Sequence, residues 1–202
     1  MLMTHIKTGM KKIFFLIAVN ILFVAGCNSK SSETKDGFTL NEVINQNSNQ
    51  TTNQMEDIQK KENPYYSRTD TAKLNVPDSE WKKILPEEVY DVAREKGTER
   101  AFTGKYWNTE GIGSYYCAVC GNALFRSDEK FASACGWPSF FETIRKNSVV
   151  YEEDNSYGMN RTEVLCGRCD SHLGHLFDDG PPPTGKRYCM NSIVLDFEVG
   201  DK

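Results

Sequence analysis

Two Cys-x-x-Cys motifs constrain the fold more than any other feature of the 202-residue sequence, and together they use four of its 7 cysteines. The first motif is CAVCG, with Cys117 and Cys120, and the second is CGRCD, with Cys166 and Cys169. Each motif lets two thiolates reach one ion from a tight turn, and four thiolates complete a tetrahedral zinc site with no open position. The sequence therefore predicts one structural Zn²⁺ ion that joins two distant parts of the chain and stabilises the fold.

Two other uses of these motifs remain open on the sequence alone. Exported proteins often oxidise their cysteines, so each motif could instead form a disulfide. One motif could also be a thioredoxin-like redox centre, but such a centre needs a strand followed by a helix. Strand-like residues precede both motifs, and no helix is indicated after CGRCDSHLGH. The pattern therefore favours zinc.

Short runs of β-branched and aromatic residues dominate the sequence after Gly104. SYYCAVC, SVVYEE, RTEVLC and SIVLDFEVG are separated by Gly, Pro and Asn clusters, and the last run alternates with nearly the period of a half-buried strand. The absence of regular strand–helix alternation argues against a doubly wound parallel sheet. These runs predict a mainly β, antiparallel fold.

Before these runs, PDSEWKKILPEEVYDVAREKGTER predicts two short helices at the N-terminal side of the β domain. Asp78 or Ser79 can cap the first helix. Pro86 suits the first position of the second helix, and Gly97 suits its C-terminal end.

The first 26 residues have the pattern of an export signal. Two lysines after Met10 lead into an apolar run from Ile13 to Ala25, and this run is shorter than the roughly 20 residues that a membrane span needs. The run ends in VAGC, which resembles the lipobox of bacterial lipoproteins. Residues 1–26 are therefore predicted to be a signal peptide that is cleaved before a lipidated Cys27, and an uncleaved anchor is the alternative.

The remaining chain divides into a polar segment and a folded domain. Residues 27–75 contain the lipidated cysteine and too few apolar residues to bury much surface, so they predict a flexible linker. Residues 76–202 form the predicted domain. This organisation places the domain in the bacterial cell envelope, outside the cytoplasm and anchored to a membrane by lipid. The formal net charge of −4 argues against a nucleic-acid partner.

Two further cysteines lie outside both motifs and the lipobox: Cys135 in FASACGWPSF and Cys189 in PPPTGKRYCMNS. They could form a structural disulfide or remain buried thiols. Arg187 is a fixed cation near Cys189 that favours the nucleophilic thiolate. His172 and His175 follow the second motif, and they could bind metal. Because four cysteines already fill one zinc site, proton transfer is the favoured role of these histidines.

Four segments together resemble a known family: GTERAFTGKYW, CAVCGNALF, KFASACGWPSF and CGRCDSHLGHLFDDGPPPTGKRYCMNS. The match to the type B methionine-R-sulfoxide reductases runs from about Ser79 to Phe197. This resemblance implies a fold of two antiparallel sheets, with the zinc site on the side away from the catalytic cysteine. It also implies reduction of the R epimer of methionine sulfoxide in proteins or peptides.

The same resemblance implies the residues of the reaction. Cys189 corresponds to the cysteine that attacks the sulfoxide sulfur and becomes a sulfenic acid, with a proton supplied by His172 or His175. Cys135 corresponds to the resolving cysteine, which forms a Cys135–Cys189 disulfide that a thioredoxin-like protein then reduces.

Four further positions carry supporting roles by the same resemblance. Trp137 is expected to form the wall of an apolar pocket for the sulfoxide methyl group, and Phe177 to line the site. Arg187 and Asn191 are expected to hold and activate the thiolate. Two functions compete with this hypothesis: a zinc-bearing binding module without turnover, and a general disulfide oxidoreductase. In every case a monomer is expected.

Overall fold

The structure, a computed structural model, describes residues 62–200. The predicted signal peptide, Cys27 and most of the predicted linker lie outside these residues. No helix within residues 62–200 has the length and apolar character that crossing a membrane requires.

Two short helices precede the β domain, as predicted. They are α1 (Asp78–Ile84) and α2 (Glu87–Ala93). Neither Asp78 nor Ser79 caps α1, because Pro77 occupies the cap position and no side chain bonds there. After α2, Lys96 and not Gly97 takes the left-handed conformation, with φ of 59°.

Nine strands of the described residues form two antiparallel sheets, which confirms the predicted fold class. The first sheet has the order β2-β1-β9, and the second has the order β3-β4-β8-β7-β6-β5. The strands are β1 (Gly113–Cys117), β2 (Ala123–Arg126), β3 (Lys130–Phe131), β4 (Ser139–Phe140), β5 (Val149–Asp154), β6 (Arg161–Cys166), β7 (His172–Phe177), β8 (Arg187–Met190) and β9 (Leu195–Val199).

The last strand departs from the alternation expected from its sequence. A 3-10 turn covers Ser192–Val194, so β9 begins only at Leu195. Asp196 is buried, and the Tyr66 hydroxyl compensates its carboxylate by donating a hydrogen bond at 2.6 Å. Val199 is 79 % exposed at the end of the strand.

Aromatic side chains from both sheets form the centre of the core. The rings of Phe125 on β2 and Phe140 on β4 are stacked, with centroids 4.3 Å apart. Tyr115 on β1 meets Phe140 edge-on at 4.9 Å. All three are fully buried, and burial of such a side chain contributes about 1.5–3 kcal/mol. These contacts hold the two sheets together and fix the position of β4 beside β8.

Residues 62–75, which we call the N-terminal strap, pack against the Cys-x-x-Cys motifs. The Ser67 amide donates to the Cys120 carbonyl at 3.0 Å, and the Leu74 amide donates to the Arg168 carbonyl at 2.7 Å. The described fold thus extends N-terminal to residue 76, where the sequence placed the start of the domain.

A buried arginine explains why these polar residues pack. Arg168, in the second motif, is 3 % exposed, and a buried cation must be paired. Its guanidinium donates to Tyr65 O at 2.8 Å, to the Asp70 carboxylate at 2.7 Å and to Cys120 O at 2.6 Å. The strap thus supplies hydrogen-bond acceptors for Arg168. The polar composition of residues 62–75 does not by itself indicate this packing.

Candidate active site and metal centre

The four motif cysteines form one buried cluster, as predicted. The sulfur atoms of Cys117 and Cys169 are 3.8 Å apart, those of Cys120 and Cys166 are 3.6 Å apart, and all four lie within 4.8 Å of one another. A tetrahedron with Zn–S bonds of about 2.3 Å has edges of about 3.8 Å. The cluster is therefore compatible with a metal ion held by four thiolates.

The two motifs build this cluster with matching backbone turns. In the first, the Gly121 amide donates to Cys117 O at 2.8 Å, and Gly121 has φ of 77°. In the second, the Asp170 amide donates to Cys166 O at 3.0 Å, and Asp170 has φ of 58°. Left-handed backbone is easily adopted by glycine and tolerated by aspartate. The repeated turn presents both cysteines of each motif to one point.

A separate pair of cysteines lies on the second sheet. Cys189 is on β8, where it pairs with Ser139 on β4 and with His175 on β7. Cys135 lies in the loop before β4, and its sulfur is 3.6 Å from that of Cys189. Both thiols are only partly buried. The structure thus brings together the two cysteines that the sequence left outside the motifs.

The two thiols of this pair have opposite pKa shifts. Burial, followed by the neighbouring Cys135, raises the pKa of Cys189 to about 12, and the opposing effect of Arg187 is smaller. Burial also disfavours the Cys135 thiolate, but hydrogen bonds from Ser133 and Ser139 outweigh it and lower the pKa of Cys135 to about 7. Loss of the first proton opposes loss of the second at 3.6 Å, so the pair shares one proton above neutral pH.

Neighbouring side chains fix the position of the Arg187 guanidinium near the cysteines. Its guanidinium donates two hydrogen bonds to the Asp179 carboxylate, at 2.8 and 2.9 Å. It also lies over the Phe177 ring, 4.3 Å from the centroid, as cation–π pairs do. The predicted cation near Cys189 is thus present, but it does not by itself lower the pKa of that thiol below its usual value.

An irregularity in β7 brings the two histidines to the same face of the sheet. Val164 pairs with Gly174 whereas Leu165 pairs with His172, which leaves one extra residue on β7. Residues an odd number apart otherwise point to opposite faces of a strand. The rings of His172 and His175 consequently meet edge-on, with centroids 5.4 Å apart.

Each histidine has its own carboxylate. His172 is buried, and its Nδ1 lies 2.7 Å from Glu163 Oε1. His175 is partly buried, and its Nε2 lies 2.8 Å from Asp154 Oδ2. Hydrogen bonds from Ser156, His175 and Arg161 hold the pKa of Asp154 well below its usual value. Burial lowers the pKa of His172 in spite of Glu163.

Gly174, between the histidines, allows β8 to approach β7 closely. A Cβ atom at this position would lie only 2.1 Å from the backbone oxygen of Cys189. Any other residue would therefore push Cys189 away from His175.

Glu99 bonds both to the segment after Cys189 and to the segment after Cys135. Its carboxylate accepts from the amides of Ser192 and Ile193 at 2.6 and 3.0 Å, and its carbonyl accepts from Trp137 Nε1 at 3.1 Å. The Glu99 amide in turn donates to Asn191 Oδ1 at 3.0 Å. Glu99 thus connects the chain after Cys189 with the loop that carries Cys135.

Asn191 makes its hydrogen bonds to backbone groups of neighbouring segments. Its amide group donates to Leu173 O at 3.2 Å and accepts from Glu99, and it is buried. These bonds fasten the end of β8 to β7. The contacts of Asn191 therefore position Cys189 through the backbone. Trp137 is half-buried beside Cys135, with its indole fixed by Glu99.

Sequence reasoning missed the acidic residues that hold the site. Glu163 is the first of four consecutive buried positions of β6, and Asp179 is the second residue after the end of β7. Their acidic type on or beside apolar strands was a usable signal, because a carboxylate in a strand core needs a cation or a donor. Glu99 gave no such signal, since it lies in a polar loop.

A cavity of about 520 Å³ lies on another part of the surface. It is bordered by both helices and by the segment after β8, including Leu85, Val89, Glu99, Tyr106 and Ile193. Neither Cys135 nor Cys189 lines it. The cavity is therefore separate from the cysteine pair.

The chain is similar in sequence to known proteins. The SelR domain family model matches residues 85–199. The peptide methionine sulfoxide reductase MsrB of Acinetobacter baylyi is 51% identical over 131 residues, which cover 65% of this chain and 94% of the relative. The protein of the same name from Methanosarcina barkeri is 54% identical over 125 residues, which cover 62% of this chain and 88% of the relative. The chain therefore belongs to the SelR-domain family of MsrB-type peptide methionine sulfoxide reductases.

Proposed function

We propose that the protein reduces methionine-R-sulfoxide in peptides and proteins by thiol chemistry at Cys189. The observation that carries this proposal is the Cys135–Cys189 pair, with its sulfur atoms 3.6 Å apart and Cys189 in register with His175. Family membership supplies the reaction class. The pair supplies a nucleophile and a second thiol within reach of it.

The reaction has two stages that balance atoms and electrons. The Cys189 thiolate attacks the sulfoxide sulfur while a histidine protonates the oxygen. Transfer of the hydroxyl group to Cys189 releases methionine and leaves a sulfenic acid. Cys135 then attacks the sulfenic sulfur, water leaves, and the disulfide forms. The sulfur atoms must close from 3.6 Å to the about 2.05 Å of a disulfide, which a side-chain rotation can supply.

His175 is the better placed proton donor. It pairs with Cys189 in the β7–β8 register, and Asp154 holds its Nε2, which leaves Nδ1 for the substrate. His172 is buried behind it. Trp137, half-buried in the loop that carries Cys135, provides an apolar surface for the methyl group of the R epimer.

The dithiol form is restored by a thioredoxin-like protein. That partner donates two electrons, so its own dithiol becomes a disulfide while Cys135 and Cys189 return to thiols. The net reaction converts a sulfoxide and a dithiol into a thioether, a disulfide and water. One chain contains both cysteines, so the reaction needs no second chain, and we propose that the enzyme works as a monomer.

The four-cysteine cluster binds one Zn²⁺ ion as a structural metal. Four thiolates leave no open coordination position for a substrate, and the four sulfur atoms are buried. Cys117, Cys120, Cys166 and Cys169 would hold the ion, whose role is to stabilise the fold.

The N-terminal sequence supports a place in the cell envelope. We propose that residues 1–26 direct export and that Cys27 carries the lipid that anchors the domain to a membrane outside the cytoplasm. A Cys27→Ala variant, expressed in a bacterial host that processes lipoproteins, should move from the membrane fraction to the soluble fraction. Recovery of that variant in washed membranes would refute lipid anchoring.

The reaction is tested by epimer-resolved reduction of a methionine-sulfoxide peptide with dithiothreitol and, separately, with a thioredoxin. We expect methionine only from the R epimer, together with loss of two free thiols per chain when the reductant is omitted. Absence of methionine product from either epimer would favour the zinc-bearing binding module. Disulfide exchange by the four cluster cysteines would favour the general oxidoreductase.

A further inference from the structure

A buried carboxylate connects the end of α2 to His172. Glu163 on β6 is 2 % exposed. Its Oε1 lies 2.7 Å from His172 Nδ1, and its Oε2 lies 2.7 Å from Lys96 Nζ. A buried carboxylate must be paired on both oxygens to be stable. Because a carboxylate only accepts hydrogen bonds, Nδ1 of His172 carries a proton.

The other ring nitrogen of His172 is the sensitive atom. Nε2 is buried and has no hydrogen-bond partner among residues 62–200. In a neutral imidazole with its proton on Nδ1, Nε2 is an acceptor, and protonation would convert it to a donor. The His172 ring touches that of His175, which is in register with Cys189. A change in the charge of His172 therefore changes the electrostatic surroundings of His175, which lies beside the nucleophile Cys189.

Lys96 reaches Glu163 from an uncommon backbone conformation. Its φ of 59° is rare for a residue with a side chain, and such conformations persist where surrounding contacts fix them. The Lys96 side chain is 57% exposed, yet its ammonium lies against the buried carboxylate. The contact thus joins a surface cation to the interior of the site.

The charged and titratable groups around His172 come from four parts of the fold. Burial does most to lower the pKa of His172; Glu163 raises this pKa, whereas His175 and Lys96 lower it. Glu152 and Asp154 act on Lys96 from β5. The groups are Lys96 after α2, Glu152 and Asp154 on β5, Glu163 on β6, and His175 on β7.

We propose that Lys96 and Glu163 are positioning residues that keep His172 neutral during the reaction at Cys189, with its proton on Nδ1 and an accepting Nε2. Lys96 balances the charge of Glu163, so that the carboxylate orients the imidazole without drawing a second proton onto it. This inference rests on the proposed function and adds two residues, one of them outside the sheet, to the machinery of the site.

Replacement of Lys96 tests the proposal at a side chain that is itself 57% exposed. Lys96→Met removes the cation and keeps an apolar stem, so the charge of Glu163 is no longer balanced. We expect the pKa of His172 to rise, as followed by nitrogen NMR of the imidazole ring in the metal-loaded, substrate-free protein. Sulfoxide reduction should then fall about threefold more at pH of about 6 than at about 8. Lys96→Arg should restore both properties.

The control is Lys146→Met, which removes an exposed lysine from the turn before β5 and should change neither property. An unchanged His172 titration in Lys96→Met overturns the proposal. So does an equal loss of activity at all pH values, which indicates a purely structural role. In Glu163→Leu, which has no acceptor for His172 Nδ1–H, the NMR spectrum should show a mixture of the two neutral tautomers. A single Nδ1-protonated form in that variant would exclude Glu163 as the orienting group. The NMR measurement needs no turnover. Failure of this proposal is therefore distinguishable from failure of the proposed reductase function.

Discussion

The fold contains two clusters of sulfur atoms with the same spacing and opposite properties. In the four-cysteine cluster, Cys120 and Cys166 are 3.6 Å apart and fully buried, and each lies on a backbone turn. In the redox pair, Cys135 and Cys189 are also 3.6 Å apart, but both are partly exposed, and one lies on a central strand and the other on a loop. The distance between sulfurs does not decide their chemistry. Their number, their access to solvent and the proton donors beside them do.

The largest expected effect concerns Cys189. Cys189→Ser should lower sulfoxide reduction by about 10⁴-fold or more, because a weakly nucleophilic hydroxyl replaces the thiolate that attacks the sulfoxide. Metal content and thermal unfolding should stay as in the parent protein, since β8 is unchanged in shape. Methionine release is measured by chromatography. Substantial activity in this variant would show that a residue other than Cys189 attacks the sulfoxide.

Loss of one cluster cysteine should have the opposite pattern. Cys120→Ser should not bind metal at stoichiometric levels. Its free energy of unfolding should fall by about 3 kcal/mol or more, because structural zinc sites contribute about 10–16 kcal/mol in small domains. Metal analysis and denaturant unfolding measure the two effects. Full stability without bound metal would show that the cluster is held by packing alone.

Cys135→Ser separates the two cysteines of the redox pair. The first stage needs only Cys189, so the variant should release about one methionine per chain without reductant, and thioredoxin should fail to support further cycles. Dithiothreitol, which can reduce a sulfenic acid directly, serves as the control. If thioredoxin supported repeated turnover, another thiol would have to resolve the sulfenic acid.

The same variant also tests the electrostatics of the pair. Burial and, after it, the neighbouring Cys135 raise the pKa of Cys189 to about 12. Replacement of Cys135 removes that neighbour and leaves Arg187, so the pKa of Cys189 should fall. A lowered pKa means that the thiolate appears at lower pH, which alkylation rates against pH record. In the parent protein, alkylation of Cys135 should rise through pH of about 7. No shift in the variant would mean that burial alone sets this pKa.

The smallest effect is expected at the N-terminal strap. Asp70→Ala removes one of several acceptors of Arg168, while the backbone acceptors remain. Because Asp70 is largely exposed, metal transfer to a chelator should accelerate only about twofold. Glu80→Ala, which breaks an exposed pair with Lys83, is the matched control and should leave the rate unchanged. An equal acceleration in both variants would show that the Asp70–Arg168 contact does not contribute to metal retention.

The sequence predicted the parts of this molecule that depend on local pattern. RTEVLC became β6 with the bounds of its run, and the two motifs met as one cluster. What it did not predict depends on pairing between distant residues. The extra residue on β7 that brings His172 and His175 to one face is visible only once β6 is beside it. The raised pKa of Cys189 likewise follows from burial and from Cys135, which the chain places 54 residues away.

Arg168 also determines how mechanical force would pass through the molecule. Its side chain joins Tyr65 and Asp70 of the strap to Cys120 in the first motif, while its own backbone belongs to the second. A pull on the N-terminal end of the domain would therefore be transmitted through Arg168 to both Cys-x-x-Cys motifs. Cys189 and His175 lie on β8 and β7, which take no part in these three hydrogen bonds.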